Sequence, residues 1–236
     1  HDTTAGTVTG SDEAIFANNN AGSLPLRSGD LESVTQSGLV AQNSAGSTIL
    51  DIDTTGGSIT VASLGVSARS EGSGDIVVRT GDVTSATQNA VRAIALPGAG
   101  GITIDTSAGS LMGETGGIFA DQQGTGSVAV TAGDVTASGD AIWARTNGGI
   151  VTIDVTANVS SQEHAILVAA NQPGTTTIRN TGVINVAVDL SDMDDTLFNE
   201  AVFAAEGDSL FDGGNDTLVN VGRIETIGDV GVGDLD

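Results

Sequence analysis

Cysteine, tyrosine and lysine are absent from this 236-residue chain, proline occurs three times and tryptophan once. Without cysteine there is neither a disulfide framework nor a thiolate metal site. Few aromatic residues argue against a long sugar-binding cleft built on aromatic platforms. The most apolar runs, such as Ala165–Ala170, are far short of the ~20 residues that cross a bilayer, so no membrane insertion by this segment is expected. Positive charge is scarce: seven Arg face 30 acids, for a formal charge of −23, beyond the roughly 2–8 units usual for a small domain. Nucleic acid and anionic lipid surfaces are poor candidate partners on that balance, which suits a secreted or cell-surface chain. The chain opens at His1 without Met and stops in turn-like sequence, Gly233–Asp236, so the expectation is a processed or excised fragment.

What is present is glycine, 34 residues of it, with Val, Ile, Thr, Ala, Ser and Asp filling most of the rest. That composition favours strands and turns over helices. A hydrophobic fraction of 39%, spread evenly, argues against disorder.

Fixed-period self-similarity organises the sequence. Gly29-Asp30, Gly81-Asp82 and Gly133-Asp134 recur every 52 residues, and half that interval is the step of an aliphatic pair: Leu24/Leu26, Leu50/Ile52, Ile76/Val78, Ile102/Ile104, Val128/Val130. Val151/Ile153 and a degenerate Thr176/Ile178 continue it. Alternation inside each segment has the period of a strand with one buried face. A second segment keeps step: Ile15, Leu39, Val66, Val91, Ile118, Ile142, Ile166 and Val202 each sit two residues before a residue that is Ala in all but one copy. A third follows the Gly turns, with Val8, Leu31, Ile59, Val83, Leu111, Val135 and Val159 inward. Three short strands per repeat cannot bury their apolar faces alone, but stacked repeats make three parallel sheets around one narrow core. The expected fold is therefore all-β, a right-handed three-sided parallel β-helix of eight or nine coils of about 25 residues, forming one domain over residues 1–236. From Ile142 to Ile166 is 24 residues but from Ile166 to Val202 is 36, which predicts an acidic loop projecting from the rod at about 189–200.

The phrases Ala132–Arg145, Thr177–Ile184 and Asn215–Ile224 resemble the passenger repeats of bacterial autotransporter outer-membrane proteins. The resemblance runs from about Val8 to Ile227 and implies a β-helical rod at the cell surface or secreted, outside a Gram-negative outer membrane. Such passengers serve as adhesins, aggregation factors, proteases or esterases, so the resemblance speaks to fold more than to activity.

Three kinds of site compete. The outward column Arg27, Asp53, Arg79, Asp105, Thr131, Asp154, Arg179 alternates in sign over its first four members. One reading is a carbohydrate-active enzyme, a polysaccharide lyase or glycoside hydrolase, using Asp51, Asp53, Arg79 and Asp105. The other is an ion-pair ladder that avoids stacking like charges. Sign alternation is what a ladder needs, so no catalytic residue is assigned. A Ser-His-Asp site would depend on His164 with Asp140 or Glu163, since the only other His is His1. No cofactor and no metal ligand are assigned. Calcium is the one ion considered, because Phe211–Val219 resembles a single imperfect calcium-binding nonapeptide and Asp192, Asp194 and Asp195 cluster nearby.

The position between the inward aliphatic and the Ala should face outward, yet it holds Phe16, Val40, Phe119, Trp143, Leu167 and Phe203. Four of the six aromatics share this column. Either a loop or subunit covers it, for instance the acidic insertion with Phe198, or Phe16, Phe119, Trp143, Leu167 and Phe203 form a contact surface. The preferred function is a non-catalytic surface rod for adhesion, cell–cell contact or surface assembly. Its partner would be a host or bacterial surface receptor, or another copy of itself.

Overall fold

The computed structural model describes residues 2–3, 6–170, 174–227 and 229–231, and among them there are strands and turns but no α-helix. His1 and the terminal Gly233–Asp236 lie outside the described residues. Every strand pairs in parallel with the strands one coil before and one coil after, except at the two ends of each sheet, giving three ten-stranded sheets. We call them A, B and C in the order each coil visits them. The result is a β-solenoid of about nine turns spaced about 24 residues apart.

The core is a set of like-on-like stacks. In sheet A, Ile52, Val78, Ile104, Val130 and Ile153 occupy successive positions in register. In sheet C the stack is Ile15, Leu39, Val66, Val91, Ile118, Ile142 and Ile166. Sheet B carries Val8 to Val159 as the repeat predicts. With a strand period of two, these residues can be buried only if the residues between them face outward.

The 52-residue recurrence has its own structural cause. On one coil the turn into sheet B reads Gly29-Asp30 and on the next Gly57-Ser58, then Gly81-Asp82 and Gly109-Ser110. The Ser58 N–H and hydroxyl donate to Asp30 Oδ1 at 2.8 and 3.1 Å, and Ser110 does the same to Asp82 at 2.8 and 3.0 Å. An acceptor on one coil thus meets two donors on the next, which sets a two-coil period. The glycines are needed because a Cβ on Gly57 would lie 2.3 Å from the Gly29 carbonyl carbon, and one on Gly109 equally close to that of Gly81. Asp75, Asp134, Asp194 and Asp208 likewise accept a backbone N–H from the following coil. Much of the acidity is therefore turn chemistry rather than a charged binding face.

The carboxy-terminal coils depart from the expectation of an inserted loop. Rather than projecting, the segment 189–200 forms part of the wall: Leu190, Ser191 and Asp195 are buried and Thr196–Asn199 is a strand of sheet A. Coils simply shorten here, with 19 residues from Ile178 to Leu197 and 21 from Leu197 to Leu218. Val202–Ala205 belongs to sheet B, paired with Val183–Asn185 and Arg223–Thr226, not to sheet C. Phe203 lies opposite Ile184 and Ile224 and is 0% exposed, so it is a core residue and not part of any contact surface. The motif misleads because Ala-Val-Phe-Ala alternates equally well with either phase, and a one-residue shift exchanges the inward and outward sets. An asparagine ladder closes this end: Asn180 donates to Asn199 and Asn199 to Asn220, both at 2.7 Å.

Candidate contact surface

Four adjacent strands of sheet C, Asn89–Ala95, Gly116–Gln122, Asp140–Thr146 and His164–Ala170, hold the centre of the outward column. Burial of Val91/Ala93, Ile118/Ala120, Ile142/Ala144 and Ile166/Val168 turns Arg92, Phe119, Trp143 and Leu167 outward in register. All four are half-exposed. The Phe119 and Trp143 rings stack with centroids 4.3 Å apart and planes 3° from parallel. A guanidinium accompanies each ring: Arg92 Cζ is 5.8 Å from the Phe119 centroid and Arg145 Cζ is 5.5 Å from that of Trp143. Phe198 does not cover the column, because it sits on the outer face of sheet A between Arg179 and Val219.

Phe16 is 59% exposed at the amino-terminal end of the same column, with Val40, Ser67 and Arg92 between it and Phe119. The aromatic column is therefore one stacked pair with Leu167 beside it, plus a distant Phe16.

A second outward column runs Ile94, Asp121, Arg145, Ala169. The Arg145 Nε and Nη2 donate to the two oxygens of Asp121 at 2.7 and 2.8 Å, and Gln123 Nε2 donates to the same carboxylate at 2.8 Å. Asp121 is only 4% exposed, so the guanidinium is held in one orientation by a nearly buried partner. Beside it a cleft of about 340 Å³ is lined by Pro97, Gln122, Gln123, Arg145 and Asn147.

Charge on this face runs against that of the chain. Over the seven strands from Ile15–Asn19 to His164–Ala170, the two outward columns flanking the buried Ala position contain Arg69, Arg92 and Arg145 but one acid, Asp121. Arg69 pairs with Glu71 in the adjoining turn. Among the described residues Arg92 alone of the seven Arg has no ion pair.

The rival column on sheet A is largely half-exposed and internally engaged. Arg27 and Arg79 both reach Asp51, at 2.8 and 2.9 Å, while Asp53 and Asp105 accept from the backbone N–H and hydroxyl of Thr55 and Ser107 in their own turns. Desolvation raises the pKa of Asp53, but the Thr55 donors and the Arg27 and Arg79 charges outweigh it and hold the carboxyl below the usual range. A stably ionised, hydrogen-bonded Asp53 is poorly suited to act as a proton donor. His164 Nδ1 lies 2.8 Å from Asp140 Oδ1, which brings two of the three predicted partners together, but among the described residues no Ser hydroxyl bonds the ring.

The carboxylates considered for calcium accept hydrogen bonds that tie neighbouring coils together. Asp194 accepts from Asn215 N–H, Asp195 from Thr176 N–H and from Ser191, and Asp216 from Asp195 N–H. Among the described residues no group of three His, Asp or Glu is placed to hold a metal. Burial raises the Asp195 carboxyl despite its hydrogen bonds. It raises Asp216 too, with Asp194 and Asp212 adding to the shift.

Sequence reasoning anticipated Phe119, Trp143 and Leu167 on one face. It missed Arg92, Asp121 and Arg145, whose signal was that each lies 24 to 27 residues from the next coil's residue in one of the two outward columns of sheet C, and Gln123, which lies beyond those columns. No protein-family model, curated protein or solved structure matches the chain.

Proposed function

We propose that this chain is a non-catalytic rod, the passenger of an autotransporter-type surface protein, that makes contacts through the outer face of sheet C. The observation that carries the reading is the Arg92, Phe119, Trp143, Arg145 group: half-exposed, preorganised and locally cationic on a chain of formal charge −23. Stacked aromatics with attendant Arg are the residue types that dominate contact energetics. A rigid solenoid suits adhesion because it holds such a face at fixed orientation along its length.

Beads coated with the chain test it. Trp143→Ala should reduce bead clustering or adhesion to bacterial and host cells while leaving the melting temperature nearly unchanged; undiminished adhesion would remove the contact face from the account. The rival enzyme reading predicts turnover of an acidic polysaccharide that Asp53→Asn abolishes, and that result would replace the rod reading with a lyase or hydrolase.

A further inference from the structure

We propose that the Phe119–Trp143 patch binds an anionic saccharide, a hexuronate placing its carboxylate on the free edge of Arg145 and its hydroxyls on the amides of the adjoining cleft. This rests on the reading of sheet C as the contact face and names the class of ligand it takes.

Arg145 keeps donors that its partner does not use. A guanidinium has five N–H groups, and Asp121 takes one from Nε and one from Nη2. The pair Nη1 and Nη2 still presents a fork of the kind that accepts a carboxylate in bidentate fashion, and the buried Asp121 fixes its direction beforehand. Arg145 lines the cleft with Gln123 and Asn147. Gln123 commits its Nε2 to Asp121 and keeps its Oε1, and the exposed Asn147 spends one N–H on the Gln123 carbonyl at 3.5 Å and keeps its second N–H and its Oδ1, so acceptors and donors for hydroxyl groups stand next to the guanidinium. The cleft volume of about 340 Å³ falls at the lower end of the roughly 300–1,000 Å³ of small-ligand sites.

Three observations narrow the class. A neutral sugar binds aromatic side chains by lying on a ring face, but the facing surfaces of Phe119 and Trp143 cover each other and guanidinium groups lie against the rings. Ring edges and the indole N–H remain, and no described residue accepts a hydrogen bond from that N–H. An extended peptide would add as a strand to a sheet edge, yet each strand of sheet C from Leu39–Asn43 to His164–Ala170 is already paired on both sides. Charge completes the case: among the described residues Arg92 has no ion pair, and from Ile15–Asn19 to His164–Ala170 the outward columns hold three Arg and one acid, with Asp189 entering only on the following strand, beside Leu167. An anion is attracted there while the acidic turns elsewhere repel it, and screening at physiological salt, over about 8 Å, keeps the two regions separate.

Trp143 is the only tryptophan in the chain, so its emission reports this site alone. The full chain is titrated with hexagalacturonate, with maltohexaose as the uncharged control and hexaglutamate as the charged non-saccharide control. Hexagalacturonate should give a saturable change in emission that weakens with added salt, and the controls should give none. Loss of the charge-assisted contact in Arg145→Gln should weaken binding about tenfold or more, and loss of the neighbouring positive charge in Arg92→Gln should weaken it measurably and reduce its salt dependence. Asn147→Asp, at an exposed position that leaves the Asp121 pair intact, should weaken it as well and covers the case in which Arg145→Gln does not fold. The proposal is overturned by any of four results: no saturable response to hexagalacturonate, an equal response to either control, unchanged affinity in Arg92→Gln and Asn147→Asp, or an emission change that follows protein concentration alone, which would assign the face to a second copy. If beads still adhere through Trp143 while hexagalacturonate does not bind, the saccharide is wrong and the contact face stands; if Trp143→Ala leaves adhesion intact, the contact face itself is wrong.

Discussion

Replacing Phe203 with Ala separates a core aromatic from an outward one, and the size of the effect follows from where the ring lies. The side chain is 0% exposed and stacked in register between Ile184 and Ile224, so truncation leaves a cavity on top of the lost transfer free energy. Buried Phe→Ala substitutions cost about 3–5 kcal/mol. In a solenoid that loss is felt by the coils touching the cavity rather than by the whole rod. Hydrogen exchange resolved by residue is therefore the assay. Val186 N–H donates to the Ala204 carbonyl at 2.9 Å and Val202 N–H to that of Gly182 at 3.1 Å, so both report the damaged coils. Ile76 N–H, bonded to Gly101 at 2.9 Å, serves as a distant control. A loss of ~3 kcal/mol corresponds to roughly a hundredfold faster exchange at Val186 and Val202, with Ile76 unaffected. If exchange there changes less than about threefold, as expected for an exposed aromatic, Phe203 faces outward and the assignment of Val202–Ala205 to sheet B is refuted.

Gly57→Ala would place its Cβ 2.3 Å from the Gly29 carbonyl carbon, so the turn must shift, and denaturant unfolding should show a loss of about 2 kcal/mol or more. Arg79→Ala removes a guanidinium that is 45% exposed, and the same measurement should register at most ~1 kcal/mol, declining with salt; a loss of several kcal/mol would mean that the pair with Asp51 is desolvated. Asp195 and Asp216 have carboxyls raised above their unfolded values, chiefly by burial, so the folded state binds their protons more readily. Their contribution is fully present below the unfolded pKa and is lost as pH rises through the folded one. Amides of the carboxy-terminal coils, corrected for intrinsic rates, should thus be better protected near the unfolded pKa of ~4 than at neutral pH, and a reverse trend would contradict the sign.

How much was legible in the sequence depended on how strictly a coil kept its length. Where 26-residue steps persist, from Leu24 to Val130, a single aliphatic alignment fixes all three sheets, since each inward residue stacks on its own kind. Past Ile166 the coils contract and the alignment loses its phase, so Ala201–Ala204 is matched to the wrong sheet and the shortfall reads as an insertion. The turn contacts were illegible for another reason: Asp30 to Ser58 and Asn180 to Asn199 join polar residues whose types are common in any turn, and only the coil register reveals them as partners. The candidate contact face was half legible. Trp143 and Phe119 announced themselves by being apolar at outward positions, whereas Arg145 and Asp121 look like ordinary surface residues until stacking places them side by side.

Each face of the rod carries an oxidisable side chain that reports its solvent access: Trp143 on sheet C, Met112 on sheet B and Phe198 on sheet A. Met112 and Phe198 are 57% and 38% exposed, so both react readily in the free chain. Hydroxyl-radical footprinting of the chain adhered to cells or to itself, compared with the free chain, tests the contact face most directly. If sheet C makes the contact, Trp143 and Phe119 become protected while Met112 and Phe198 oxidise as before; protection of Met112 or Phe198 with Trp143 still reacting at its free rate would place the contact on another face.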